Sequence, residues 1–470
     1  MNISKIAIAI PNKTLKKYFM YLSLLFIGIY ISGCAKDSTH NPKEVNDFNH
    51  EVIKEWNETF LQVERYSAGY RPGPAPRGLA YLGIAAYEAC VAGMPEYQSL
   101  SGQIDGLSIP EADPELEYNW PLVVNETYNY LLPLFFSRAT ANQLSGIEKT
   151  YTTFFQANSA GVSQDIIERS KERGQQVAEL IWIWAKSDQI GHEHYLDPFQ
   201  GYNWVDHYKK DGDWLPTTPG PGKPMGAVWG KARAFTLKSQ ADKICIPPIP
   251  FSESPQSEFY SQALEVYAQN TPTLSYEKEW IGEYWSDDLV NLTFSPGPRW
   301  IAIGIQVLEL ENSNLEDAIL MAAKVGMALN DASIACWASK YQYNLERPVS
   351  YIQRVIDPNW RTSLYNPLTN EENNTPSFPA YPSGHSTMGG AAAEALASLF
   401  GYNYSMADKC HIGRTEFSGE PRNFPSFAAM AQENAWSRVP LGVHFRMDSE
   451  VGVNFGFEIG RKVNKLRWKK

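Results

Sequence analysis

Apolar positions recur at helical spacing along most of the chain. Between 46 and 66, Val52, Ile53, Trp56, Phe60 and Val63 fall on one stripe, and Pro72, Pro74 and Pro76 are expected to end that helix. A strongly apolar helix is predicted from Arg77 to Val91, with Leu79, Tyr81, Leu82, Ile84, Ala85 and Tyr87. Further helical periods cover about 117–136, 142–157 and 163–187, the last with Ile166, Ile167, Val177, Leu180, Ile181 and Trp184. The period fails through 188–255, where Gly, Pro, Trp and Asp are frequent. This stretch is predicted to be an ordered loop layer anchored by Trp204, Trp214 and Trp229, because a structureless loop of that length is uncommon. Helical spacing returns at 257–268, 276–287, 297–311 and 316–344, then from the stretch after Gly384 and from Ser426 to Arg438. A final helix, capped by Asp448, is expected to reach about Leu466. No sustained strand alternation is visible. The pattern predicts an all-α protein of two packed helical bundles forming one large domain, with the loop-rich Trp/Pro/Gly layer over one end.

The stretch Phe378-Pro379-Ala380-Tyr381-Pro382-Ser383-Gly384-His385 reads as an extended approach turning directly into a helix. Gly389, Gly390, Ala391, Ala392, Ala393, Ala395 and Ala397 follow, small enough for another helix to approach closely, and Gly401 is the expected C-cap. A helix N-terminus presenting a hydroxyl, a glycine amide and an imidazole suits an oxyanion.

Charge and cysteine content narrow the setting. Lys13, Lys16 and Lys17 precede an apolar run from Tyr18 to Ile31, and Ser32-Gly33 lead into Cys34. The segment resembles a bacterial lipoprotein signal, with Ile31 in place of the usual leucine; the run is short for a span of about 20 residues. The expected organisation is a signal peptide at 1–33, a flexible tether at 34–45 lipidated at Cys34, an N-terminal bundle with the loop layer at 46–255, and a C-terminal bundle carrying the site at 256–470. A lipid anchor in the bacterial envelope, at the outer membrane, follows as an expectation. Cleavage before Cys34 removes four lysines and no acids, taking the net charge from −11 to −15. That argues against nucleic acid as a partner but not against an anionic substrate, since charges beyond about 8 Å are largely screened. The remaining Cys90, Cys245, Cys336 and Cys410 show no paired spacing. His192 and His194 flank Glu193 but have no third ligand nearby, and are read as a surface pair.

Three clusters carry chemistry: Lys340-x6-Arg347-Pro348, with Trp337 one turn before Lys340; Pro382-Ser383-Gly384-His385; and Ser437-Arg438-x5-His444-x3-Asp448. Singly, each has a structural reading, with Lys340 and Arg347 as helix-end cations and Ser383 and Asp448 as caps. Together they offer what a tetrahedral oxyanion needs. Arg347 and Arg438 supply planar forks, Lys340 a point charge, and Ser383 and the Gly384 amide further donors. His444 can attack or bond the central atom, with Asp448 fixing its tautomer, while His385 serves as general acid and base.

In this order the clusters resemble the type 2 phosphatidic acid phosphatase and vanadium haloperoxidase superfamily, and Trp337, Lys340 and the run FPAYPSGH look like the vanadium-dependent haloperoxidase branch. The resemblance implies vanadate as cofactor, bonded covalently to His444 alone and otherwise hydrogen-bonded. It implies hydrogen peroxide and a halide as small-molecule substrates, Lys340 polarising bound peroxide, and hypohalous acid as product. Trp337 and Phe378 would wall the halide pocket. Bromide-oxidising relatives often carry His at the place of Phe378, whereas phenylalanine occurs in chloride- and iodide-type relatives; bacterial lipoprotein-like members resemble the iodide type, so iodide is favoured, with bromide next. The alternative within the resemblance is a soluble acid phosphatase that takes phosphate and works through a phosphohistidine at His444. A non-catalytic surface-binding lipoprotein is the third reading. Asp287 or Asp288 is expected to buttress an active-site arginine, with a pair of surface carboxylates as the alternative.

Overall fold

The computed structural model describes residues 42–199, 202–217, 223–270 and 275–470. The expected signal peptide, Cys34 and most of the tether lie outside the described residues, as do Thr218 and Pro219 of the loop layer. Val45 is already fully buried, so the folded body starts before residue 46.

The first half carries α1 (Glu51–Arg65), α2 (Pro74–Cys90), α3 (Trp120–Phe135), α4 (Ala141–Ser159) and α5 (Gln164–Lys186). The second carries α6 (Glu258–Gln269), α7 (Tyr276–Tyr284), α8 (Arg299–Leu310), α9 (Leu315–Tyr343), α10 (Pro348–Val355), α11 (Gly384–Phe400), α12 (Phe427–Trp436) and α13 (Arg446–Asn464). Among the described residues the protein is all-α apart from a short antiparallel hairpin, β1 (Met406–Asp408) with β2 (Arg422–Phe424). Three-residue strands are too short to show alternation, which is why the sequence pattern passes over them.

α9 is the central helix. It is long and apolar enough to cross a membrane by length and composition, but its most apolar window is 94% buried inside the protein. Alanines and small polar residues disguise this run in the sequence. α9 packs against α2 on one side and α11 on the other, with Gly83 and Gly326 letting the α2 and α9 backbones meet. α11 packs most extensively on α13. There Gly452, Gly456 and Gly460 sit against Ser383, Thr387 and Ala391: a Cβ on Gly456 would lie 2.2 Å from the Thr387 carbonyl oxygen, and one on Gly460 2.6 Å from that of Ala391. Both rows advance by four residues, so the helices mesh turn for turn.

Several boundaries differ from expectation. α2 starts at Pro74, because a proline at the first helical position needs no N–H partner. α9 stops at Tyr343, where Asn344 turns left-handed (φ 49°) and its N–H caps the Lys340 carbonyl at 2.9 Å. Pro348 opens α10, a helix not expected, and Arg347 is the N-cap of α10 rather than a cation at the end of α9. α12 ends at Trp436, before Arg438. Asp448 is the third residue of α13, not its cap; its side chain still takes the Phe445 N–H at 3.1 Å.

In the loop layer Trp214 and Trp229 are buried as expected, whereas Trp204 is only half-buried. The layer is tied down by the buried Asp331 of α9, whose carboxylate accepts the Phe235 and Thr236 amides, each at 2.8 Å. His194 is not on the surface: it is 3% exposed, packed on the Trp229 ring, and burial pushes its pKa down to about 4. Cys90, Cys245, Cys336 and Cys410 are all free thiols.

Candidate oxyanion site

The three clusters meet at the N-terminus of α11. Ser383 is its N-cap, the Oγ accepting from the Ser386 amide at 3.4 Å, and the Ser383 amide donates to the Asp448 carbonyl at 2.9 Å. Gly384 follows, where an amide has no acceptor within the helix. A Cβ there would lie 3.2 Å from the Trp337 ring, so glycine leaves room for the indole.

His444 is 2% exposed. Its Nδ1 lies 2.9 Å from Asp448 Oδ2, and the carboxylate, which also takes the Phe445 amide, assigns the proton to Nδ1. Nε2 is then a lone pair, and it accepts from Arg347 Nη1 at 3.1 Å. Burial first, then the charges of Arg347, Lys340 and Arg438, hold the imidazole pKa well below its ordinary value, so the ring stays neutral and nucleophilic.

Arg347 is pinned by donation from Nε to the Phe378 carbonyl (2.9 Å) and from Nη1 to the Val443 carbonyl (2.7 Å). Arg438 is held through Nη2 by Asp288. Arg347 Nη2 and Arg438 Nε and Nη1 are buried and find no hydrogen-bond partner among the described residues. Leaving such donors dry costs about 1–3 kcal/mol each. A multiply charged oxyanion would satisfy all three.

Lys340 is fully buried, and its Nζ donates to the Pro379 and Ala380 carbonyls at 2.9 and 2.8 Å, leaving one proton free. Burial lowers its pKa to about 7, and burial likewise raises the Asp448 carboxyl to about 7. The ring of Phe378 lies 5.1 Å from Lys340 Nζ and 5.0 Å from the Arg347 guanidinium, with Trp337 tilted against it at 4.9 Å.

His385 is 7% exposed and donates from Nε2 to the Ser286 carbonyl at 2.9 Å. Its Nδ1 makes no hydrogen bond among the described residues and is the nitrogen left to exchange a proton. Burial, then the Arg438 charge, pushes its pKa down to about 3. His385, His444, Arg438, Gly384, Trp337 and Phe378 all line one cavity of about 210 Å3, while Lys340, Arg347, Ser383 and Asp448 stand behind its wall. A larger cleft of about 900 Å3, beside Lys324 and Trp468, contains none of these residues.

Of the two expected buttresses, Asp288 is the one paired with an arginine of the three clusters, Arg438; Asp287 instead binds Arg299 at 2.9 Å. The Ser286 carbonyl and the apolar lining from Met225, Leu289 and Met388 were not expected. A backbone acceptor leaves no trace in side-chain identity, and apolar wall residues look like core.

A family model described as the second helical-bundle domain of VCPO matches residues 320–468. The vanadium chloroperoxidase of Curvularia inaequalis is 26% identical over 345 residues, 59% of this chain; the match spans 56% of that protein's length. The solved structure of a bacterial vanadium-dependent iodoperoxidase superposes with a TM-score of 0.77 at 29% identity, covering 91% of this chain and 99% of that one. A bacterial vanadium-dependent chloroperoxidase superposes at 0.66 with 14% identity, covering 91% and 98%, a likeness of fold alone.

Proposed function

We infer that this chain, which belongs to the vanadium haloperoxidase family, oxidises a halide with hydrogen peroxide at the α11 N-terminus, with iodide as the preferred halide. The observation that carries this reading is the set of three buried, unpartnered guanidinium nitrogens on Arg347 and Arg438, together with a neutral His444 whose Nε2 meets Arg347 Nη1. Vanadate fits that donor set, and when bound it supplies a Lewis acid that activates peroxide. Arg347, Arg438 and Lys340 would hold its oxygens, with Ser383 and the Gly384 amide at the helix end and His444 Nε2 as the protein ligand. The Arg347–His444 contact would give way to that bond.

The remaining steps belong to the chain's own groups. Asp448 keeps the proton on His444 Nδ1, so that Nε2 stays available as a lone pair. His385, fixed through Nε2, takes and returns a proton at Nδ1. Trp337, Phe378, Leu289 and Met388 line the cavity with apolar surface, favouring a large, weakly hydrated halide over a small one. Phenylalanine at 378 and the likeness to an iodoperoxidase support iodide. The lipoprotein-like segment at Cys34 supports a lipid anchor in the bacterial envelope.

The test is direct. Purified chain given orthovanadate, hydrogen peroxide and iodide should form oxidised iodine, and His444→Ala should retain no vanadium after desalting. Turnover of p-nitrophenyl phosphate with no vanadate-dependent iodide oxidation would replace this reading with a phosphatase.

A further inference from the structure

Both groups that hold His385 and Arg438 from outside lie in one turn, Tyr284–Asp288, and a buried charge cluster that the reaction does not use fixes that turn from behind. Arg299, the first residue of α8, is 1% exposed and lies between the Tyr284 and Trp285 rings, 4.7 and 4.0 Å from their centroids. Its Nη1 donates to the Tyr284 carbonyl at 2.6 Å and to Asp287 Oδ2 at 2.9 Å, and lies 2.6 Å from His411 Nε2. Nη2 donates to Asp408 Oδ2 at 2.7 Å, at the end of β1. Asp408 is held in turn by Gln306 Nε2 at 3.0 Å and the Cys410 amide at 2.9 Å. Burial alone would lower the guanidinium pKa; Asp287 and Asp408 raise it well above its ordinary value.

Asp287 has φ 37°, a left-handed backbone that a side chain other than glycine's rarely adopts. Such a conformation persists where surrounding contacts over-determine it. Here the closest contact is the Arg299 pair, with His411 Nε2 standing 3.6 Å from the other carboxylate oxygen. The angle φ at 287 sets the direction of the Ser286 carbonyl relative to everything that follows. On one side that carbonyl meets His385 Nε2 at 2.9 Å. On the other, the Asp288 carboxylate binds Arg438 and stands 3.9 Å from His385 Nε2. A right-handed residue at 287 could not keep both directions.

We propose that Arg299 is a positioning residue: by holding Asp287 left-handed, it aims the Ser286 carbonyl at His385 and the Asp288 carboxylate at Arg438. The proposal rests on the reading of this site as an oxyanion site. It assigns the Arg299, Asp287 and Asp408 cluster a role beyond stability, at a distance from the reacting atoms.

The test uses the full chain and two readouts: orthovanadate affinity by calorimetry, and the 15N shifts of the His385 ring. Arg299→Met should weaken orthovanadate binding about tenfold and move the His385 shifts toward a mixture of tautomers. Arg299→Lys, which keeps a charge for the two carboxylates, should restore part of the affinity. Adding Asp287→Gly to Arg299→Met should restore more, since glycine adopts positive φ without support; a purely stabilising role for Arg299 would not be rescued this way. Should Arg299→Met fail to fold, Asp287→Ala against Asp287→Gly decides, because the two differ chiefly in the ease of that backbone. Tighter binding by the glycine variant supports the proposal, and equal binding overturns it. Unchanged affinity and unchanged His385 shifts in folded Arg299→Met also overturn it. A wild-type chain that binds no orthovanadate removes the oxyanion reading, and the His385 shifts then judge the positioning of the ring alone.

Discussion

Asp448→Asn is the most informative single change to the site. Asp448 is fully buried, and its Oδ2 takes both the His444 Nδ1–H at 2.9 Å and the Phe445 amide at 3.1 Å, while Oδ1 has no partner. An asparagine has two ways to sit there. With its oxygen in the Oδ2 position it keeps both bonds but loses the charge, and an NH2 group is left where Oδ1 had no partner. Flipped, it donates to His444 Nδ1, which forces the proton onto Nε2 and removes the lone pair that the ligand role requires. Losing a charge-assisted bond costs about 1.5–3 kcal/mol, or roughly 10- to 150-fold in affinity. The first arrangement lies at the low end and the flipped one at or beyond the high end. Calorimetric titration with orthovanadate at pH 6 and pH 8 measures the loss, and the 15N shifts of His444 report which nitrogen carries the proton. An affinity within threefold of wild type, with His444 still protonated at Nδ1, would refute the argument that the carboxylate tunes this histidine.

Three other outcomes are expected. Lys340 has a pKa lowered to about 7 by burial, and a bound oxyanion would favour its ammonium, so anion uptake should carry a proton. Orthovanadate affinity should then fall as pH rises through 7, more steeply in wild type than in Lys340→Met, which should also bind about 10- to 150-fold more weakly at pH 6; parallel pH curves would exclude this lysine from the anion's surroundings. Gly456→Ala places a Cβ 2.2 Å from the Thr387 carbonyl oxygen and should cost about 1–3 kcal/mol by urea unfolding, an unchanged midpoint counting against the tight α11–α13 contact. Cys34→Ser should abolish incorporation of a labelled fatty acid in a bacterial host and release the protein from the membrane fraction; incorporation that persists would overturn the anchor.

Much of the site was legible in the sequence because its chemistry-bearing residues have few substitutes. Two arginines, a lysine and two histidines at fixed spacing beside Pro-Ser-Gly-His point to an oxyanion whatever the fold. Helical periodicity placed most of the long helices, whose buried faces are continuous. What escaped depends on contacts between distant segments. Asp288 and Asp287 are neighbours of equal chemistry, and only the fold decides that one faces Arg438 and the other Arg299. The α9 terminus falls within a residue of the expected 344, but Arg347 does not belong to it, because Asn344 turns left-handed and ends the helix first. Nothing local in the sequence announces that Trp229 covers His194.

The matched rows of small residues on α11 and α13 also bear on how this chemistry endures. His385 rides on one helix, while Asp448 lies in the first turn of the other and holds His444, two residues before that helix, so their separation depends on the mesh between the two. Sliding by one notch would displace the two histidines by about 5.4 Å, far beyond what a single anion could bridge. The distance across the candidate site is therefore tied to the small-residue contact between α11 and α13.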